Sequence, residues 1–356
     1  MSEKLLDLYT DYLISSFGQV TATGLSRLLN GEVSHDQVTR FLSSEPKRSA
    51  DLWRIAKPLV RSIESNDGVI VIDDTIEEKE YTDENELICW HFDHSKGRNV
   101  KGINFLSALY VTEQGAVPVA FDLVSKEQAY VDEKTGNLRR KSSMSKNERY
   151  RRLLRIVVHN QIKFRYVIND SWYASSDNMK MIKRDLRRDF VMPLKSNRKV
   201  ALAREPKARG PYVAVSELEL PADTTCQIWL EEVPFALALT KQAFINEDQS
   251  QGTLYLVTSD LMLSADQTQR LYQRRWSVEE YHKSLKQNAS LERSPTRTPT
   301  TQRNHLFSSL CAYLKLEGLK WQTKLSHFAL KSKIYQSALK AAYAELVKLH
   351  PQPLAA

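Results

Sequence analysis

The sequence predicts an α/β fold. It is expected to have a mixed five-stranded sheet with helices on both faces, a helical N-terminal region, and a β-rich insertion ahead of its last site-bearing helix. Three observations carry that expectation. Apolar residues recur three and four apart through the first 65 residues, the period of amphipathic helices. At Gly68 the pattern changes to short β-branched runs. Those runs then alternate with amphipathic stretches, the order of a sheet layered with helices.

Taken in order, LLDLYTDYLISSF and ADLWRIAKPLVRSI read as helices. Two shorter amphipathic stretches between them flank Asn30-Gly31, a turn signal. Ser34 caps the second, with Gln37 completing a capping box. Such a pair fits a DNA-reading helix-turn-helix or an ordinary helical hairpin equally well. VIVID (69–73) is a buried strand, and INFLSALYV (103–111) and AVPVAFDLV (116–124) form a hairpin turning at Gln114-Gly115. An amphipathic helix covers Glu148 to Gln161, and FRYVIND (164–170) is the fourth strand. A helix capped by Ser175 or Ser176 runs to about Arg187, and FVMPL (190–194) is the fifth strand. The first three strands suit an antiparallel meander, and the later crossovers are long enough for parallel pairing. Residues 195–262 hold strand-like runs with little helical period. Helix resumes at Ser264 and runs to about Asn288, a further helix follows, and a Lys-rich helical tail begins after about 322.

The 356 residues are 42% apolar and can bury a large core. A net charge of +8 and a pI of about 9.2 favour a polyanionic partner. The charge is concentrated: 138–155 has eight Lys/Arg and one acid, and 180–209 has eleven and three. Such clusters neutralise backbone phosphates. No apolar run spans a bilayer, and the N-terminus lacks the basic-then-apolar order of a signal peptide, so a cytoplasmic protein without a membrane partner is expected. Cys89, Cys226 and Cys311 are far apart, which suits a reducing compartment. His91 and His94 near Cys89 lack a second ligand pair, so zinc is not expected. Without a Gly-rich phosphate loop, no nucleotide cofactor is implied.

The strand ends carry the chemistry. VIVIDDT ends on Asp73 and Asp74, and FRYVIND ends on Asp170. Carboxylates converging from neighbouring strands repel unless a cation lies between them. Mg2+ is the expected hard cation, with Mn2+ as a substitute. The helix from Ser264 supplies a third carboxylate. Its Tyr272, Arg275, Glu279 and Lys286 fall within a stripe of about 60°, one line along the helix, with Glu280 off that line. A solvated polar face gives the same stripe.

The spacing Y-x2-R-x3-E-x6-K at these four residues resembles the signature of a large group of bacterial insertion-sequence transposases. VIDDT resembles that group's first aspartate region, INDSWYASSDN its second, and WHFDHSKGRNVKGINFLSALYV the lead into its second strand. The resemblance covers about residues 69 to 320. It implies a ribonuclease H-like core and a catalytic, metal-holding triad of Asp74, Asp170 and Glu279. Asp74 is preferred over Asp73 because it directly precedes Thr75. It implies that Tyr272, Arg275 and Lys286 contact phosphates of the transposon end. Lys96, Arg98 and Lys101 are read as further phosphate contacts. Some members flip a base onto an aromatic residue, for which Trp172, Trp229, Tyr255 and Trp276 are available.

The implied domains are a DNA-binding helical region (1–65), a catalytic core in two parts (66–194 and 263–321), the insertion (195–262) and the tail (322–356). The implied activity is cut-and-paste transposition: metal-dependent cleavage at terminal inverted repeats and strand transfer to target DNA by a homodimer associated with the bacterial nucleoid. A structure-selective nuclease on the same fold, or a domesticated transposase that only binds DNA, are the alternatives.

Overall fold

A computed structural model describes residues 3–93, 96–134, 136–203, 212–245 and 249–349. Its helices and strands begin with α1 (Glu3–Ser15), α2 (Ala22–Leu28), α3 (His35–Leu42) and α4 (Ser49–Ile63). Strands β1 (Val69–Glu78), β2 (Cys89–Asp93), β3 (Arg98–Thr112), β4 (Gly115–Leu123), β5 (Gln128–Val131) and β6 (Leu138–Lys141) follow. Next come α5 (Lys146–His159), β7 (Tyr166–Ile168), α6 (Ser176–Lys180) and β8 (Asp189–Leu194). The insertion holds β9 (Lys199–Val200), β10 (Val213–Ala214), β11 (Thr225–Ile228), β12 (Leu237–Ile245) and β13 (Gln251–Thr258). Last are α7 (Ala265–Gln273), α8 (Trp276–Gln287), α9 (Pro299–Thr323) and α10 (His327–Leu349). The chain forms two compact units: Met1–Ile55 with Glu77–Ile103 and Tyr281–Ala356, and Ala56–Ile76 with Asn104–Glu280.

In the second unit the strand order is β4-β3-β1-β7-β8-β13-β12-β11. The five expected strands are its first five. β3 and β4 are antiparallel, and β1, β7 and β8 are parallel neighbours. β1 is buried along Val69 to Ile72 because Val-Ile-Val-Ile suits a strand covered on both faces. The sheet does not stop at five strands. β13 pairs antiparallel with β8, from Tyr255 opposite Leu194 to Thr258 opposite Val191, and β12 and β11 continue outward. The insertion therefore enlarges the core sheet, a non-local pairing that no local pattern encodes. The β5–β6 ribbon was also not foreseen, because its residues are nearly all exposed and show no inward alternation. α5 is capped by Ser145 and Glu148, and Arg149 joins Asp122 at 3.0 Å in a buried pair. Ser175, rather than Ser176, caps α6, which continues as a π-helical turn over Met181–Asp185.

The helix expected to run from Ser264 to about Asn288 is broken. α7 ends at Gln273 and α8 starts at Trp276. Across the break, the N–H groups of Arg274 and Arg275 reach back three residues, to the carbonyls of Leu271 and Tyr272. The Arg274 guanidinium is drawn off to the Asp67 carbonyl at 2.9 Å. The angular stripe assumed one continuous helix, so it relates Glu279 to Lys286 within α8 but does not extend back through the turn to Tyr272.

In the first unit α2 and α3 flank Asn30 and Gly31, both in the left-handed region, with φ of 50° and 82°. The Ser34–Gln37 capping box is formed. Val38, Phe41 and Leu42 turn the inner face of α3 toward α9, while Tyr9 of α1 meets His305 of α9 at 3.1 Å. β2, not foreseen as a strand, pairs with the start of β3 from Cys89 opposite Gly102 to Asp93 opposite Arg98. Cys89 and His91 face each other in its buried side at 3.3 Å, and His94 lies outside the described residues. At Gly102 a Cβ would overlap the backbone carbonyl of Glu77. Gly102→Ala is therefore expected to cost about 1–3 kcal/mol in denaturant titration, the usual size of an overpacking penalty. After Lys331, α10 leaves the core, and Tyr335, Leu339, Tyr343, Leu346 and Leu349 remain exposed at three- and four-residue spacing.

Candidate active site

The site begins with the register between β1 and β7. Val69 lies opposite Tyr166, Ile70 opposite Val167 and Val71 opposite Ile168. Asp73 lies two residues past the last pair on β1 and Asp170 two residues past the last pair on β7, close enough for their charges to repel. β7 itself stops at Ile168, so Asp170 is not a strand residue as expected. It caps the 3-10 turn Ser171–Tyr173, its Oδ1 accepting from the Trp172 N–H at 3.0 Å.

Asp73 and Asp74 are adjacent in sequence but differ in environment. Asp73 has its pKa pushed up to about 8, first by burial and then by the charges of Asp170 and Asp74. Its Oδ1 accepts the Asp74 N–H, and Arg275 stands 3.9 Å from its Oδ2. Burial, and the charge of Asp74 after it, likewise raise Asp170. Asp74 is equally buried, yet its pKa is lowered. Burial is the largest influence and would raise it, but Lys146, Tyr173 and Asn104 together outweigh it. Both its oxygens are occupied: Oδ1 by the Tyr173 hydroxyl at 2.5 Å, Oδ2 by Lys146 Nζ and Asn104 Nδ2, each at 2.7 Å.

Glu279 lies in the first turn of α8, and its side chain is 46% exposed. Its carboxylate meets Arg275 at 2.9 Å, one helical turn back. The Arg275 guanidinium also stands 5.9 Å from the rings of Tyr272 and Trp276. Arg275 thus reaches both Asp73 and Glu279. Lys286, two turns along α8 in the first unit, pairs with Glu292 at 2.9 Å. Lys96 and Arg98 both face Glu78, and Lys101 lies across from Trp90. Of the four aromatic candidates, Trp172 and Trp276 are well exposed, Trp229 is half-buried and Tyr255 is buried. Trp172 lines a cleft of about 510 Å³ with Lys195, Arg198 and Lys199. The carboxylate partners Lys146, Tyr173 and Asn104 were missed from sequence. Their only local signal was the position of Lys146 just after the capping Ser145.

The donors around Asp73 and Asp170 are all oxygen. A buried carboxylate pair that holds a proton to about pH 8 fits a hard divalent cation, which would replace that proton. The triad is not assembled: among the described residues, no three His, Cys, Asp or Glu side chains are grouped to hold a metal. Glu279 is instead paired with Arg275.

Strand order β4-β3-β1-β7-β8, with Asp73 on β1 and Asp170 just past β7, is that of a ribonuclease H-like core. A family model described as DDE superfamily endonuclease matches residues 2–213, and one described as transposase DDE domain matches residues 126–315. The chain belongs to the DDE superfamily of endonucleases and transposases. It is a nucleic-acid-cleaving enzyme whose partner is DNA, and enzymes of this kind generally use divalent metal ions. No curated protein sequence matches the chain. Among the described residues no helix is long and apolar enough to cross a membrane.

Proposed function

We propose that the protein is a cut-and-paste DNA transposase that cleaves at transposon ends and transfers the freed strand to target DNA. The observation that carries this reading is Asp73 of β1 beside Asp170, just past the end of the neighbouring parallel strand β7, with Arg275 pairing Glu279 and standing 3.9 Å from Asp73. Asp73, Asp170 and Glu279 are the proposed ligands of Mg2+, with Mn2+ as substitute. Asp73 takes the first place in preference to Asp74, because the oxygens of Asp74 are already occupied. A hard divalent ion held there supplies Lewis-acid stabilisation to the attacking and leaving oxygens of a phosphodiester. The chain's own groups orient the strand. Arg275 and Tyr272 donate to phosphate oxygens of the transposon end, and Lys286, Lys96, Arg98 and Lys101 supply further phosphate contacts. Arg275 must release Glu279 before that carboxylate can act as a ligand. A homodimer pairs the two ends. Its support is the apolar stripe of α10, spaced as a helix-pairing seam.

The test is strand transfer with a labelled oligonucleotide carrying the element's terminal repeat, Mg2+ and a target plasmid. Joined product is expected. Cleavage without joining would leave a nuclease and overturn the transposase reading. The same assay gives a pH prediction. Metal must displace the proton on Asp73, so the Mg2+ concentration for half-maximal cleavage is expected to fall as pH rises toward about 8 and then level off.

A further inference from the structure

The groups around Asp74 come from three separate elements and converge on its carboxylate. Asn104 lies on β3 with its side chain fully buried, and its Oδ1 has no partner among the described residues. A buried amide with one idle end is costly in a sheet. Its other end is committed to Asp74 at 2.7 Å. Lys146 stands in the first turn of α5, and Tyr173 closes the turn that Asp170 caps. The Tyr173 ring stacks on Tyr150 of α5 at 5.0 Å and 15°. Tyr150 donates to Asn169 Oδ1 at 2.8 Å, and Asn169 donates to the Asp170 carbonyl at 2.7 Å. Asn178 fixes the Tyr173 carbonyl at 2.9 Å and is tied back to Asn147 of α5 at 2.7 Å. The turn that carries Asp170 is therefore clamped at its start by Asn169 and at its end by Asp74.

We infer that Asp74 is a positioning residue: through Tyr173, with Lys146 and Asn104, it locks the turn that presents Asp170 beside Asp73. This rests on the reading of Asp73, Asp170 and Glu279 as the metal-holding set. The geometry occupies both Asp74 oxygens with donors from three elements, the Tyr173 hydroxyl on Oδ1 and Lys146 and Asn104 on Oδ2. It also separates two neighbouring aspartates by task.

The test uses the full chain and Mn2+ as the probe. Mn2+ affinity is read by electron paramagnetic resonance, and cleavage of a terminal-repeat duplex is read at saturating Mn2+. Asp74→Asn and Tyr173→Phe are expected to retain Mn2+ binding, weakened by no more than about tenfold, and to cleave about 10–100-fold more slowly. The double variant is expected to be no slower than the slower single one, since both changes open the same lock. Tyr173→Phe removes only a hydroxyl and carries the test if Asp74→Asn does not fold. Three outcomes overturn the inference: Mn2+ affinity lost in Asp74→Asn, an unchanged rate in Tyr173→Phe, or losses that multiply in the double variant. Asp73→Asn run in parallel is expected to lose Mn2+ binding. If it keeps full affinity, the metal-ligand reading has failed, whatever Asp74 does.

Discussion

Replacing Asp73 with asparagine is expected to abolish DNA cleavage and, in the absence of metal, to stabilise the fold at alkaline pH. The first effect follows from removing a charged oxygen donor from the carboxylate pair, and should exceed about 1,000-fold in rate. The second follows from the same burial. Asp73 ionises near pH 3.8 when unfolded and at about 8 when folded. A group whose folded pKa is raised contributes fully below the unfolded value, and that contribution is lost as pH rises through the folded value. The loss therefore builds from about pH 4 and is complete above about pH 8, where the metal-free protein carries an ionised Asp73 against Asp170 and Asp74, at a cost on the order of a few kcal/mol. Asparagine cannot ionise and escapes that cost. Melting in EDTA at pH 4 and pH 9 should show a gain of several degrees for the variant at pH 9 and little at pH 4. Equal gains at both pH values would mean that Asp73 is not the strained carboxylate.

Glu279→Gln should show the same loss of cleavage without the change in stability. Glu279 is 46% exposed and its pair with Arg275 lies at the surface, so breaking it should cost less than about 1 kcal/mol. The variant should melt within a degree or two of the parent and bind a terminal-repeat duplex as tightly or more tightly, because Arg275 is freed for phosphate. Cleavage should fall by more than about 1,000-fold in Mg2+. A gel-shift titration beside a cleavage time course separates the two readouts. Persisting cleavage would remove Glu279 from the site.

What the sequence made legible follows from where the signal is local. A β-branched run followed by Asp marks a strand and a nearby acid, so the start of β1 and the region of Asp170 were readable, but β1 does not end on Asp73 and Asp74 as expected: it runs on to Glu78 and holds both acids in its middle. The choice between Asp73 and Asp74 was not, because it depends on the register of β1 against β7 and on donors from β3, α5 and the Tyr173 turn. Arg274 and Arg275 have good helix propensity, so nothing in the composition announced the break between α7 and α8. The cause is tertiary: Arg274 finds the Asp67 carbonyl, and Arg275 finds two carboxylates.

The pairing of β13 with β8 bears on how this enzyme can be altered. A segment that sits in a loop can be trimmed or exchanged like an accessory. This one cannot, because excising 195–258 would strip the flank of β8 and leave the ladder from Val191 to Leu194 open to solvent. An open edge of that kind recruits strands from other molecules, so a shortened chain should aggregate during refolding. The same constraint binds any natural variant of this chain: a deletion that reaches β13 must cover the flank of β8 by other means or forfeit solubility.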